Sequence, residues 1–569
     1  MKRLLTVLMA ASMCGVICTG RAFAAESQAE TQRITKNERL FDFLQKEYGL
    51  MLAKQKDRVS RSLLAISISR VPKADVTARL LEMTRRETDP LVRAVAWECL
   101  LSRTKMMGAD SYRQMMESTG VLIDADVLRG ELRVAALNLL AISQPEKRTK
   151  EMFARIFSRT DSRMPHDDAV IAAMGRTLAA WKSPDVVDWL IGRMQSVDDV
   201  WRADRVLRAA GAGVKGEDNK YDQGAQKAMR DVSDRYTTWW QQEKDNWKET
   251  KVSLEDSKWK TLPPHFVPAV EDYASVDPDD KKWKKDLELR PPNLKSFDVG
   301  FVVDVTGSMD PALAWLHTDI KRLMNCIGLV CLEPRIGITF YRDHGDEFIA
   351  RTTPLTGRVD VLVRALENMT CAGGGDIPEA VLEGLTDSAA KNPWVAQASG
   401  KKVWVLVADA PGHPENQKEC EELVRAAAEK GFHLYAVKLQ GPHAAPDQSG
   451  LDALAKIGNG VSMDASGAEL MNARPRKLPS EAGAGNYRGY SGGLGSSGNI
   501  PVGRRVLSAV LVDAINPQFA DRVEPMSAVL WELLSESGTE KGEVFGPTVK
   551  TTNMGQPEPK MPKKGPQDR

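Results

Sequence analysis

The sequence predicts a multidomain chain in which an α-helical repeat is followed by a doubly wound α/β domain with a mostly parallel sheet. Three observations carry this. The chain has 569 residues, more than one core of ordinary size, since domains cluster at about 100–200 residues. Its first part sets apolar residues three and four apart, the period of amphipathic helices. From Ser296 short apolar runs alternate with amphipathic stretches instead, the rhythm of a parallel sheet covered on both faces.

Taken in order, the N-terminus "MKRLLTVLMAASMCGVICTGRAFAAES" has Lys2 and Arg3, an apolar run to about Cys18, and then Ala22-Phe23-Ala24. This is the order of a secretory signal peptide over 1–24, cleaved after Ala24, and it implies a secreted or periplasmic protein. The run is broken by Thr6, Ser12 and Gly15, short of the about 20 apolar residues a membrane span needs. No later segment reads as transmembrane. After cleavage Cys99, Cys326, Cys331, Cys371 and Cys420 remain, without a Cys-x-x-Cys or Cys/His cluster of the zinc type. An odd number leaves at least one thiol free or intermolecular; Cys326 and Cys331 are the nearest pair.

Residues 33–213 read as paired helices with short punctuation. "DPLVRAVAWECL" and "GELRVAALNLL" align so that Arg93 and Arg133, Ala96 and Ala136, and Leu100 and Leu140 recur at a spacing of about 40 residues. This resembles HEAT-type repeats, which implies an α-solenoid. Residues 214–295 form a tryptophan-rich connector and a proline- and charge-rich linker. Trp239, Trp240 and Trp247 fall roughly on one helical face, as anchors docking a helix between two domains would. Interleaved acidic residues, and a net charge of +1 for the whole chain, argue against nucleic acid as a partner.

Residues 296–470 carry the strand-like runs "FDVGFVVD", "RIGITFYRD", "KVWVLVAD" and "HLYAVKL". A glycine- and serine-rich linker follows at 471–503. The segment 504–537 makes helices, with Pro517 and Pro525 expected between its two apolar runs. The tail, 538–569, lacks material for a core and is expected to be disordered.

In doubly wound sheets ligands sit outside the carboxyl ends of the strands. Four loops there carry the polar chemistry: "DVTGSMD", "YRDHGDEF", "CAGGGDIPEA" and "ADAPGH". Asp304, Thr306 and Ser308, alternating along a turn that Gly307 permits, can aim three oxygens at one point. Asp376 and Asp409 are the natural completing residues. Oxygen ligands alone select a hard divalent cation, magnesium first, then manganese or calcium. These loops resemble the von Willebrand factor type A (vWA) domain, whose first loop reads Asp-x-Ser/Thr-x-Ser, and in particular a subgroup found in bacterial proteins and beside eukaryotic alpha-kinases. The resemblance implies a Rossmann-like fold and a metal-ion-dependent adhesion site. There Thr306 and Ser308 bind the cation through hydroxyls, Asp304 and Asp409 act mainly through water, and an acidic residue of a protein or surface partner fills the open position. One departure stands out: Asp376 occupies the loop in which that family has threonine, which adds negative charge and favours calcium or a water-completed ion. Arg342, Asp343 and His413 are expected at the same rim, as support or partner contacts.

The first loop also superficially matches the aspartyl-phosphate turn of phosphate pumps and haloacid-dehalogenase phosphatases. Val305, however, stands where those families place lysine or a second loop residue, and an aspartyl nucleophile needs such a neighbour. His-Glu-x-x-His does not occur, and Gly-x-Ser-x-Gly occurs only as Gly489-Tyr490-Ser491-Gly492-Gly493, inside the glycine- and serine-rich linker and not after a strand. The expectation is a non-enzymatic binding scaffold. A metal-dependent hydrolase of an envelope polymer, and a scaffold whose metal only stabilises loops, are the alternatives.

Overall fold

The computed structural model describes residues 31–34, 36–52, 58–161, 167–211, 225–250, 265–268, 296–375, 377–395, 401–467, 470 and 500–534. The expected signal peptide, most of the glycine- and serine-rich linker, the tail and Asp376 lie outside them.

The first part is helical: α1 (36–52), α2 (Arg58–Ser69), α3 (Ala74–Arg86), α4 (Pro90–Ser102), α5 (Ala109–Asp124), α6 (Glu131–Ala141), α7 (Lys147–Arg159), α8 (Asp168–Trp181), α9 (Pro184–Arg193), α10 (Val197–Ala209) and α11 (Ala225–Glu243). Helix α4 illustrates the local logic. The Asp89 side chain accepts from the Leu91 and Val92 amides, and Pro90 takes the first turn, where its missing N–H costs nothing. Even-numbered helices lie side by side, α2 on α4, α6 on α8 and α8 on α10, while α3, α5 and α7 do the same in a second layer. The residues aligned above share one environment in part: Ala96, Ala136, Leu100 and Leu140 are all fully buried.

Two buried arginines tie this stack together. Arg103 donates from Nη1 to the carbonyls of Ser69 (2.7 Å) and Val71 (2.9 Å) and from Nη2 to that of Lys73 (2.6 Å). Arg133 donates to the Leu128 and Arg159 carbonyls. Both guanidiniums thereby satisfy carbonyls left over at helix ends and turns. The tryptophans dock α11 onto the end of the stack: Trp240 is buried, its Nε1 donates to Asp188 of α9, and Trp239 and Trp247 pack against it.

The second part is a six-stranded sheet of order β3-β2-β1-β4-β5-β6. β1 (Ser296–Asp304), β2 (Glu333–Tyr341), β4 (Lys401–Ala408), β5 (Phe432–Gln440) and β6 (Ser462–Ser466) are parallel, and β3 (Ala350–Thr356) pairs antiparallel with β2. β3 was not expected. Its sequence, "ARTTPLT", has little apolar alternation, and Pro354 is tolerated because an edge strand can spare an amide. Between the strands run α12 (Asp310–Val330), α13 (Val359–Glu367), α14 (Val381–Lys391), α15 (Gln417–Glu429) and α16 (Ser449–Ile457). β1 is buried along its whole length and feeds both faces: Phe301 and Val303 join the core beneath α12 and α13, and Val302 joins that beneath α14, α15 and α16. Cross-strand register sets Asp304 opposite Tyr341 and Val303 opposite Val407, so β1, β2 and β4 end level and their loops share one edge.

The last two helices, α17 (Val502–Ile515) and α18 (Ala520–Leu533), pack against both parts. Glu131 N donates to Glu532 and Arg129 to the Leu533 carbonyl on one side; Arg322 of α12 donates to the Trp531 carbonyl and stacks on its ring on the other. Pro525, which precedes the second apolar run, lies inside α18, because that helix starts five residues before it. The carbonyl that its ring leaves without a helical donor is that of Asp521, and Arg70 Nη2 donates to it at 2.9 Å, so a tertiary contact makes the internal proline tolerable.

Candidate metal centre

Asp304 ends β1 and is fully buried. Its Oδ1 accepts from Thr306 N (2.8 Å) and Thr306 Oγ1 (2.7 Å), closing the turn on itself, whereas its Oδ2 is buried with no hydrogen-bond partner. Burial holds this carboxyl up at about 7, with Asp409 and Asp343 adding to the effect. Asp409, just past β4, is also buried and raised by burial, opposed by a hydrogen bond from Ser308. The Asp409 carbonyl accepts from Ala445 N and Gln448 Nε2, both at 2.8 Å, which fixes the loop. Asp304, Thr306, Ser308 and Asp409 therefore lie together at the end of β1 and β4; Asp376 lies outside the described residues.

The third loop is pinned to the first. Ala372 N donates to the Val305 carbonyl and Gly307 N to that of Gly373. Gly373 and Gly374 have φ of +81° and +69°, and a Cβ at Gly373 would fall 2.3 Å from the Asp346 carboxylate. Only glycine fits so close a crossing. Asp346 Oδ2 in turn accepts from Gly374 N and Asp343 N, so an acid at the end of the second loop cradles the backbone of the third.

Sequence reasoning missed Glu379. It sits in the quoted third loop after Pro378, is 5% exposed, and its Oε2 is buried without a partner. Burial, followed by the charges of Asp304, Asp343, Asp409 and Asp346, pushes it up to about 9. A bridge between Glu379 and Gly412 turns it inward, and nothing in the local sequence announces that. Tyr341 was missed too: its hydroxyl is buried without a partner and held well above the ordinary range by burial and by Asp304, Glu379 and Asp409.

The rim residues divide. Arg342 is buried, donates to the Thr370 carbonyl at 2.8 Å and stacks on Phe348, so it is a brace for the third loop and not an exposed partner contact. Asp343 Oδ1 lies 2.7 Å from His413 Nε2, and His344 joins them. Among the described residues, Asp343, His344 and His413 place three donor atoms within 4.8 Å of one another. Asp304, Asp409 and Glu379 act on one another electrostatically without being drawn that tightly. Among the described residues Cys99, Cys326, Cys331 and Cys420 are buried and Cys371 is half-buried, and burial raises these five thiols above their usual range, which makes them poor ligands and nucleophiles.

No protein-family profile matches the chain. It is 29% identical over 121 residues to an ariadne-like RING finger protein of Acanthamoeba polyphaga mimivirus, covering 21% of this chain and 12% of that protein. It is 32% identical over 119 residues to the alpha-protein kinase vwkA of Dictyostelium discoideum, covering 20% of this chain and 19% of the kinase. The chain thus spans less than a fifth of either relative. Solved structures with partial overlap include the pilus adhesin SpaC of Lactobacillus rhamnosus GG (13% identity, 32% of this chain and 29% of that one, TM-score 0.25) and the SpRpn10 VWA domain (13% identity, 32% and 96%, TM-score 0.24). Overlaps that low do not define a fold; the sheet order above does. Among the described residues, no helix is long and apolar enough to cross a membrane.

Proposed function

We propose that this chain is an exported, non-enzymatic binding scaffold, in which a HEAT-like helical arm carries a vWA-type domain that holds a protein or surface ligand through a divalent cation. The observation that carries the reading is a pair of orphaned oxygens: Asp304 Oδ2 and Glu379 Oε2, each buried and unpartnered within one group of mutually repelling carboxylates. Buried carboxylates left like this are costly, and a cation is the partner that relieves them. Asp304, Thr306, Ser308, Asp409 and Glu379 offer oxygen alone, which suits magnesium, with calcium and manganese as the other hard candidates. Their loose spacing suits an ion held partly through water. The cation would supply a positive point at the sheet edge to which an acidic residue of the partner binds. Three carboxylates against one divalent ion leave a formal charge near −1 even before Asp376 is counted, so the partner's own hydrogen bonding carries more of the affinity than at a neutral site.

The test is titration of magnesium, calcium and manganese into the metal-stripped protein, with Asp304→Ala and Glu379→Gln as controls, followed by a binding screen with and without the cation. Saturable binding lost in Asp304→Ala and weakened in Glu379→Gln, together with cation-dependent capture of a defined ligand, supports the reading. Cation binding that neither substitution weakens refutes it. Turnover of an envelope polymer that Asp304→Ala abolishes replaces the scaffold with a hydrolase.

A further inference from the structure

We propose that Asp343, His344 and His413 form a second cation site on the rim, one that takes a divalent transition metal of the zinc type. The oxygen-lined centre uses hard ligands; this cluster differs in kind. It offers two imidazoles and a carboxylate, the donor set that suits zinc and its neighbours and that magnesium passes over. The donor atoms lie within 4.8 Å of one another, and His413 Nε2 is already 2.7 Å from Asp343 Oδ1. The two imidazole rings stack with centroids 4.9 Å apart and planes 21° from parallel, which holds both rings over one edge.

The surroundings are those of a supported site. Glu383 Oε1, from α14, lies 2.7 Å from His344 Nε2, the carboxylate-to-imidazole contact that orients metal-bound histidines. Its Oε2 is buried with no partner, so this carboxylate retains capacity to follow the ring as a metal binds. Glu415 stands 4.0 Å from His413 Nδ1 and adds negative charge at the rim. Exposure is graded, from buried Asp343 (6% exposed) through His413 (14% of its side chain) to His344 (46%), so the site opens outward at His344. Three protein ligands leave a fourth tetrahedral position for water or a partner's side chain. The two sites adjoin through Asp343, whose charge also reaches Asp304 and Glu379.

The experiment is calorimetric titration of zinc alone into the metal-stripped full chain, with excess magnesium present to load the oxygen site. The expected result is saturable binding at one zinc per chain that weakens at least about 10-fold in His344→Asn and further in the double variant with His413→Asn, and that persists in Asp304→Ala. His344 is half exposed, so its single substitution leaves the fold intact; thermal melts check this. Cobalt in place of zinc is expected to give no thiolate charge-transfer band, which separates this site from the cysteines. Zinc binding that is absent from the folded protein, unchanged in the double variant, or lost with Asp304→Ala overturns the proposal. The magnesium titration of the preceding section reads the other site independently.

Discussion

If Glu379 and Asp304 are cation ligands, binding must drive off their protons, and the pH dependence of affinity is fixed by the structure. The perturbation is Glu379→Gln, compared with wild type from pH 6 to 9. Glu379 is held at about 9, about 2 units above neutral, so ionising it at pH 7 costs about 2.7 kcal/mol, an affinity lower by about 100-fold than that of the fully ionised site. Asp304, at about 7, is half ionised there. The affinity of wild type for magnesium or calcium should therefore rise about 100-fold per pH unit below 7, about tenfold per unit between 7 and 9, and level off above. The glutamine variant keeps only the Asp304 component and should be nearly flat from 7 to 9. Its deficit against wild type should therefore widen by about 100-fold over that range. Calorimetry in two buffers of different ionisation enthalpy counts the protons released. A flat profile from pH 6 to 9, with no proton release, would refute the assignment of these carboxyls to the centre.

The same groups govern metal-free stability. Both carboxyls are raised in the fold, so their contribution is complete below the unfolded values near 4 and is lost as pH rises towards about 7 for Asp304 and about 9 for Glu379. Urea denaturation of the stripped protein should show stability falling between pH 6 and 9, by up to about 1.4 kcal/mol per pH unit for each proton, and Glu379→Gln should remove most of the fall above pH 7. Adding cation should flatten the wild-type curve. Replacing Arg103 with Leu strands three carbonyls that it now satisfies and should cost about 3 kcal/mol or more of the helical part's stability, read as a lowered urea midpoint. Trp531 is 1% exposed and lies under the Arg322 guanidinium at 3.8 Å; Trp531→Ala should cost about 3–5 kcal/mol and speed proteolysis of both parts. An effect confined to one part would show that α17 and α18 do not couple them.

Much of the site was legible because its signals are local. Asp304, Thr306 and Ser308 follow an apolar strand within one turn, and the alternation of strands and helices sends that turn to the carboxyl edge by topology alone. Asp409 reads the same way at the end of β4. Glu379 did not, because its inward turn depends on a bridge to Gly412 in another loop. For Arg342 the sequence left support and partner contact both open; its bond to the third loop's carbonyl and its stacking on Phe348 make it support.

The period of the apolar residues determined by itself that helices precede a parallel sheet, because burying one face imposes a fixed spacing on each element. Residue chemistry likewise marked the four polar loops at the carboxyl edge of the sheet. Tertiary structure alone decided the antiparallel edge β3, which its neighbour's backbone recruits; the place of Pro525 inside a helix, which Arg70 permits from the other end of the chain; and the pairing of His413 with Asp343 across 70 residues. Each rests on a partner distant in sequence, and no local pattern encodes where such a partner will stand.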